Sequence, residues 1–195
     1  MDDFLPILDY VGRHIHLTDE EIAYYVSLLK IKKIRKKQFI VQPDFVCNHR
    51  TYIVKGALRS YLIDANGQDH TVAFGIDDWW IADFDSYLFR QPATLFVEAL
   101  EDSTLIQISY DDEQKLTETL PKFNKFYRKL AENGYVYLQK RILADISLTA
   151  TERYENFLNR YPLVAARVPQ YALASYLGIS HELLSKIRNK RVKKS

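Results

Sequence analysis

Near the end of the chain, His181, Glu182, Ser185, Lys186, Arg188 and Asn189 surround Leu184 and Ile187. A helix here turns the two aliphatic residues inward and leaves a polar, net basic outer face. Such a face suits contact with a polyanion, because several donors and one carboxylate acceptor stand together. Catalysis or metal binding needs side chains that converge, and no other part of the sequence supplies such a group. The five histidines (His14, His16, His49, His70 and His181) are scattered, and His14 and His16 do not share a helix face. Neither a Gly-rich phosphate loop nor a Ser-His-Asp pattern stands out. The single Cys47 cannot form an intramolecular disulfide and excludes a Cys-clustered zinc or iron–sulfur site. A metal-dependent enzyme on a jelly roll is the rival reading that stoichiometric bound metal would revive.

Charge supports the polyanion reading. Net charge over 195 residues is only +2. From Thr149 onward there are nine Lys/Arg against three acids, while the preceding residues carry 18 bases and 22 acids. An acidic body with a basic C-terminal region points to a polyanionic partner at that end.

The outer face needs a device to hold it out. In "QYALASYLGISHELLSKIRN", Gln170 opens a twenty-residue frame in which Leu173, Ala174, Leu177, Gly178, Ile179, Leu184 and Ile187 have mechanical tasks. Ala174 is small where two helices cross, and Gly178 can take the left-handed conformation that ends the first helix. Ser180 caps the second helix. Small, glycine, apolar and polar residues in this order predict a DNA-binding helix-turn-helix.

Upstream, Thr18 and Glu21 form a capping box, Leu17 and Ile22 can staple the same helix, and that helix is expected to run to about Lys30. Short β-branched and aromatic runs follow at 38–41, 50–54, 57–63, 70–74, 94–100 and 104–108. Asn66-Gly67 marks a hairpin, and Gly56 marks a bulge or tight bend. Many short strands with turns between them predict a sandwich, barrel or jelly roll. A short helix is expected at 111–115, and Pro121 then starts a long helix to about Asp145. Phe123, Phe126, Tyr127, Leu130, Gly134, Tyr137, Leu138 and Arg141 make a stripe on it, which needs either the β-domain or a second copy as partner. Gly134 reads either as a close backbone approach or as a helix defect. Thr149 or Thr151 caps a further helix ending near Arg160, before Tyr161-Pro162. No apolar run reaches about 18 residues, and the acidic N-terminus lacks a signal-peptide pattern, so a cytoplasmic protein is expected.

The order of parts, with "IVKGALRSYLIDANGQDHTVAFG", "TATERYENFL" and "ASYLGISHELLSKI", resembles the Crp/Fnr family of bacterial transcription regulators over about the whole chain. The resemblance implies an α+β fold. Residues 1–120 would be a cyclic-nucleotide-binding-like antiparallel β-roll with flanking helices, 121–147 a dimerisation helix, and 148–195 a helix-turn-helix domain. It also implies a cytoplasmic homodimer on a palindromic operator in double-stranded DNA, RNA polymerase as a further partner, and no membrane. The family's three base-reading positions correspond to His181, Glu182 and Lys186. Glu182 can accept from cytosine N4, Lys186 can donate to guanine, and His181 can donate to guanine or phosphate. With Gln170, Ser180, Ser185, Arg188 and Lys190 these are the candidate DNA contacts. Where the family typically has Arg, His181 and Lys186 lack the bidentate fork, so the operator should differ from the catabolite activator's. A β-wing after the recognition helix is expected to be reduced or missing, with Lys190, Arg191, Lys193 and Lys194 reaching phosphates instead.

The same resemblance locates an effector pocket. The family's Gly-Glu and Arg-Ser/Thr pairs correspond to Ala82-Asp83 and Ala93-Thr94. Ala93 removes the arginine that neutralises a cyclic phosphate. Positions that would meet adenine are Leu138 and Gln139. Asp83, Thr94, Arg90 and Trp80 remain as candidate pocket residues, although paired Trp79-Trp80 also fits core packing. No cofactor and no response to cyclic AMP are expected, and another small effector is left open. The alternative is a sensing or protein-interaction module whose helix-turn-helix no longer binds DNA.

Overall fold

The computed structural model describes residues 2–192. Among these, the central segment folds as β1 (Leu29–Ile34), β2 (Phe39–Val41), β3 (His49–Lys55), β4 (Leu58–Ile63), β5 (Asp69–Gly75), β6 (Trp80–Ile81), β7 (Phe96–Ala99) and β8 (Ser103–Ser109). They form two four-stranded antiparallel sheets, ordered β1-β8-β3-β6 and β2-β7-β4-β5. Tight turns explain the sharp reversals. Gly56 sits at φ +133°, and a Cβ there would collide with the Ser103 hydroxyl, so the bend between β3 and β4 requires glycine. Gly67, at φ +79°, closes the β4–β5 hairpin, where the Asp64 carboxylate accepts from the backbone N–H groups of Asn66 and Gln68.

Helices flank the roll. They are α1 (Leu5–Gly12), α2 (Asp19–Ser27), α3 (Phe84–Phe89), α4 (Tyr110–Thr119) and α5 (Lys122–Ser147), with α6 (Ala150–Arg160), α7 (Pro162–Arg167), α8 (Gln170–Tyr176) and α9 (His181–Val192) after them. The Thr18/Glu21 capping box is present, and Thr149 rather than Thr151 caps α6 in a second box with Glu152. Two expectations need correction. The helix after Thr18 stops at Ser27, and Leu29–Ile34 is an edge strand paired only with β8. The helix after β8 runs over Tyr110–Thr119 instead of 111–115. Gly134 meets nothing within 4 Å where a Cβ would stand, so no backbone of this chain approaches it closely.

The 26-residue α5, roughly 39 Å long, spends its two faces differently. Phe123, Phe126 and Tyr127 are buried under the roll with Tyr25, Tyr52, Ile106 and Leu116. Farther along, Tyr137 packs on a core that combines Phe74, Ile76 and Leu100 of the roll with Tyr154, Phe157, Leu173 and Leu184 of the C-terminal helices. The stripe is therefore covered mainly by its own chain. A second face carries Tyr135, Leu138, Ile142, Leu143 and Ile146, 45–78 % exposed.

Candidate nucleic-acid interface

The last two helices form a helix-turn-helix for the reasons legible in their residues. Gly178 adopts φ +64° and ends α8. The Leu183 N–H donates to the Ser180 hydroxyl at 3.2 Å, which caps α9. Ala174 is buried at the crossing, and Leu184 and Ile187 are buried beneath α9. The structure brings His181, Glu182, Ser185, Lys186, Arg188, Asn189 and Lys190 together on one exposed face. Glu182 is held below the usual carboxylate range, first by its own backbone N–H at the helix start and then by the Ser180 hydroxyl. It is therefore an ionised acceptor at neutral pH. Gln170 opens α8 and is half-buried, away from this face along the chain. Lys193 and Lys194 lie outside the described residues.

What positions α9 is the attachment of α8 to the roll. Strand β5 pairs only with β4, which leaves an open edge. Ser175 fills part of it: its hydroxyl accepts from the Thr71 N–H at 2.8 Å and donates to the Asp69 carbonyl at 2.9 Å. Arg141 on α5 donates to the carbonyls of Val72, Thr71 and Tyr176, tying strand, long helix and α8 together. Arg59 lies over the rings of Tyr61 and Tyr171 while bonded to Asp69 and Glu98. Arg167 forks onto Asp77 and also reaches Glu101. These positioning residues escape sequence reasoning because the partners of Ser175 and Arg167 are 66 to 106 residues away.

Of the four residues expected in an effector pocket, Asp83 and Thr94 meet, whereas Trp80 packs against Tyr10, Tyr52 and Phe126. Asp83 is 2 % exposed, and its carboxylate accepts from the backbone N–H groups of Ser86, Thr94 and Leu95. Thr94 thus meets Asp83 through its backbone. Arg90 takes φ +55° at the end of α3, donates to the Cys47 carbonyl and Asn48, and lies over Tyr110. Trp80 faces the helices, against Tyr10, Tyr52 and Phe126, while Trp79 turns to Tyr137 and Tyr161. The two neighbouring tryptophans thus pack against different cores. Deeper in the helical layer, Arg50 makes a two-bond contact with Glu113 at 2.6 and 2.8 Å, and Tyr87 donates to the same carboxylate. Among the described residues, no three His, Cys, Asp or Glu side chains are grouped to hold a metal ion. No helix there is long and apolar enough to cross a membrane.

No family model matches the chain. The regulatory protein HlyX of Actinobacillus pleuropneumoniae is 25 % identical over 183 residues, covering 88 % of this chain and 75 % of that protein. FixK2 from Bradyrhizobium japonicum superposes with TM-score 0.74 at 18 % identity, covering 85 % of each chain. A Crp/Fnr-family protein from Eubacterium rectale gives TM-score 0.71 at 14 % identity, covering 99 % of this chain and 89 % of that one. The chain is thus similar, over most of its length, to regulators of the Crp/Fnr family. Its α+β fold, an antiparallel roll with a long helix and a C-terminal helix-turn-helix, is that of the Crp/Fnr neighbours. HlyX is a regulatory protein by name, and the Eubacterium rectale protein is described as a transcriptional regulator.

Proposed function

We propose that this chain is a sequence-specific DNA-binding transcription regulator of the Crp/Fnr type that reads a palindromic operator as a homodimer and does not require cyclic AMP. One observation carries the reading: on α9, His181, Glu182, Ser185, Lys186 and Arg188 stand exposed on a helix whose apolar side is buried and whose partner helix is anchored to the roll. In this division, residues 1–120 are an effector-type domain, 121–147 the dimerisation helix and 148–195 the DNA-binding domain. Glu182 accepts from cytosine N4, Lys186 donates to guanine, and His181 donates to guanine or a phosphate. Gln170, Ser180 and Lys190 bind the backbone beside them. Transcription follows from contact with RNA polymerase.

The dimer uses the uncovered face of α5. Tyr135, Leu138, Ile142 and Ile146 recur at steps of three and four, which is the spacing of a helix–helix seam. Two copies related by a two-fold axis would present two α9 helices to the two halves of a palindrome. Sedimentation at micromolar concentration is expected to give a dimer that Ile142→Glu converts to monomer. A wild-type chain that stays monomeric with and without DNA contradicts the pairing.

Cyclic AMP is a poor fit because the cation its phosphate needs is replaced by Ala93, which is buried. Selection of bound sequences from a random duplex pool tests the central reading. A palindromic consensus supports it, and recovery of no consensus favours a module that senses or binds protein without reading DNA.

A further inference from the structure

Where α5, α6 and the end of α8 meet, a small cleft opens beside Tyr161, lined by Lys140, Arg141, Arg153 and Arg160 with the single carboxylate Asp145. Four cations against one anion leave a surplus of three. The two inner guanidiniums are only 17–19 % exposed in their side chains. Their direct partners are neutral carbonyls: Arg153 donates to Leu148 and Leu177, and Arg141 to Thr71, Val72 and Tyr176. Asp145 lies 3.7 Å from Arg141 and 3.9 Å from Arg153, beyond hydrogen-bond reach, and is itself 45 % exposed. Lys140 and Arg160 stand exposed at the rim without an ion-pair partner among the described residues. Carbonyls solvate a guanidinium but do not cancel its charge, so the field in the cleft favours an added anion.

Size narrows the ligand. The cavity measures about 30 Å³, and one water needs roughly 10–15 Å³ on that scale. Two or three waters fit in its depth, or one tetrahedral oxyanion. We infer that this junction is a binding site for a single phosphate-type oxyanion, which bridges the long helix to the DNA-binding helices. The oxyanion is either free phosphate or a phosphate of the DNA backbone. The free-phosphate form stands whether or not the chain reads DNA.

The test uses the full chain and the Lys140→Gln/Arg160→Gln variant, whose changed side chains are exposed and retain most of their length. Thermal midpoints are measured against sodium phosphate, with sodium chloride at matched ionic strength as control. Phosphate also stabilises proteins generally by exclusion from their surface, but that effect does not saturate and is the same in the variant. Free phosphate as the ligand predicts a saturable rise that the variant weakens by at least about tenfold. In a second arm, duplex binding is measured against salt. A backbone phosphate in the cleft predicts equal losses on specific and random duplexes and a log–log salt slope flattened by up to about 0.9 for the one phosphate no longer neutralised. No saturable phosphate effect together with an unchanged salt slope overturns the site.

Discussion

The interior of the roll and the outer face of α9 are both rich in polar residues, yet they spend them differently. In the roll, Asp83 is committed to three backbone N–H groups and Arg50 to Glu113. On α9, His181, Ser185, Lys186 and Arg188 are exposed, and only Ser180 and Glu182 at its start serve the helix end. Polar groups that the fold has already satisfied hold structure. Those it leaves facing solvent on a rigid helix are available to a partner. On the proposed reading, this contrast separates a helix free to meet DNA from a roll whose polar groups are committed within the fold.

The largest effect should come from breaking a satisfied group in the roll. Glu113→Ala leaves Arg50 buried with no opposite charge and frees the Tyr87 hydroxyl, and is expected to cost about 3–5 kcal/mol of stability. Denaturant titration measures the loss, and the folded fraction should retain its DNA sequence preference. A variant as stable as wild type would show that the pair is not a structural cross-link.

The attachment of the C-terminal helices should respond less. Arg167 and its partners are partly exposed, so Arg167→Ala is expected to cost about 1 kcal/mol or less, a shift of about 4 °C or less in thermal midpoint. Burial alone would raise the Asp77 carboxyl, but the Arg167 guanidinium and the Gly56 N–H hold it below its ordinary value. A carboxyl lowered on folding contributes stability that is complete above its unfolded value of about 3.9 and is lost as pH falls below it. Wild type should therefore lose its advantage over Arg167→Ala in acid and keep it at neutral pH. A constant difference across that window would remove the ion pair from the account.

The smallest expected effect is none. Calorimetric titration with cyclic AMP should show binding no tighter than about 1 mM, or about −4 kcal/mol. Micromolar binding abolished by Arg90→Ala would mean that Arg90 turns inward and replaces the cation absent at Ala93.

Much of this was legible in the residues. The capping box at Thr18, a cap at Thr149 or Thr151, the hairpin at Asn66-Gly67, the bend at Gly56 and the turn at Gly178 each require specific side-chain or backbone chemistry, and the structure has each, with Thr149 as the second cap. Strand β1 was hidden because four of its six residues, Lys30, Ile31, Lys32 and Lys33, are exposed at a sheet edge, where bases replace alternating apolar residues. Helix α3 was hidden by its six-residue length and by Asp83 serving as its N-cap. The stripe on α5 was legible, but most of it is covered by the chain's own roll and C-terminal core, and the uncovered face shares only Leu138 with it among its apolar residues. Long-range clamps such as Ser175 on β5 leave no local pattern, since hydroxyl and partner meet only after folding.

The central claim is that the outer face of α9 reads base edges, and Lys186→Ala tests it most directly. On a duplex carrying the selected consensus, the substitution is expected to weaken binding by about 1–3 kcal/mol and to relax preference at one position in each half-site. Affinity for random duplex should change little. Equal losses on consensus and random DNA, with an unchanged consensus, would make Lys186 a backbone contact and contradict the assignment of α9 as the reading helix.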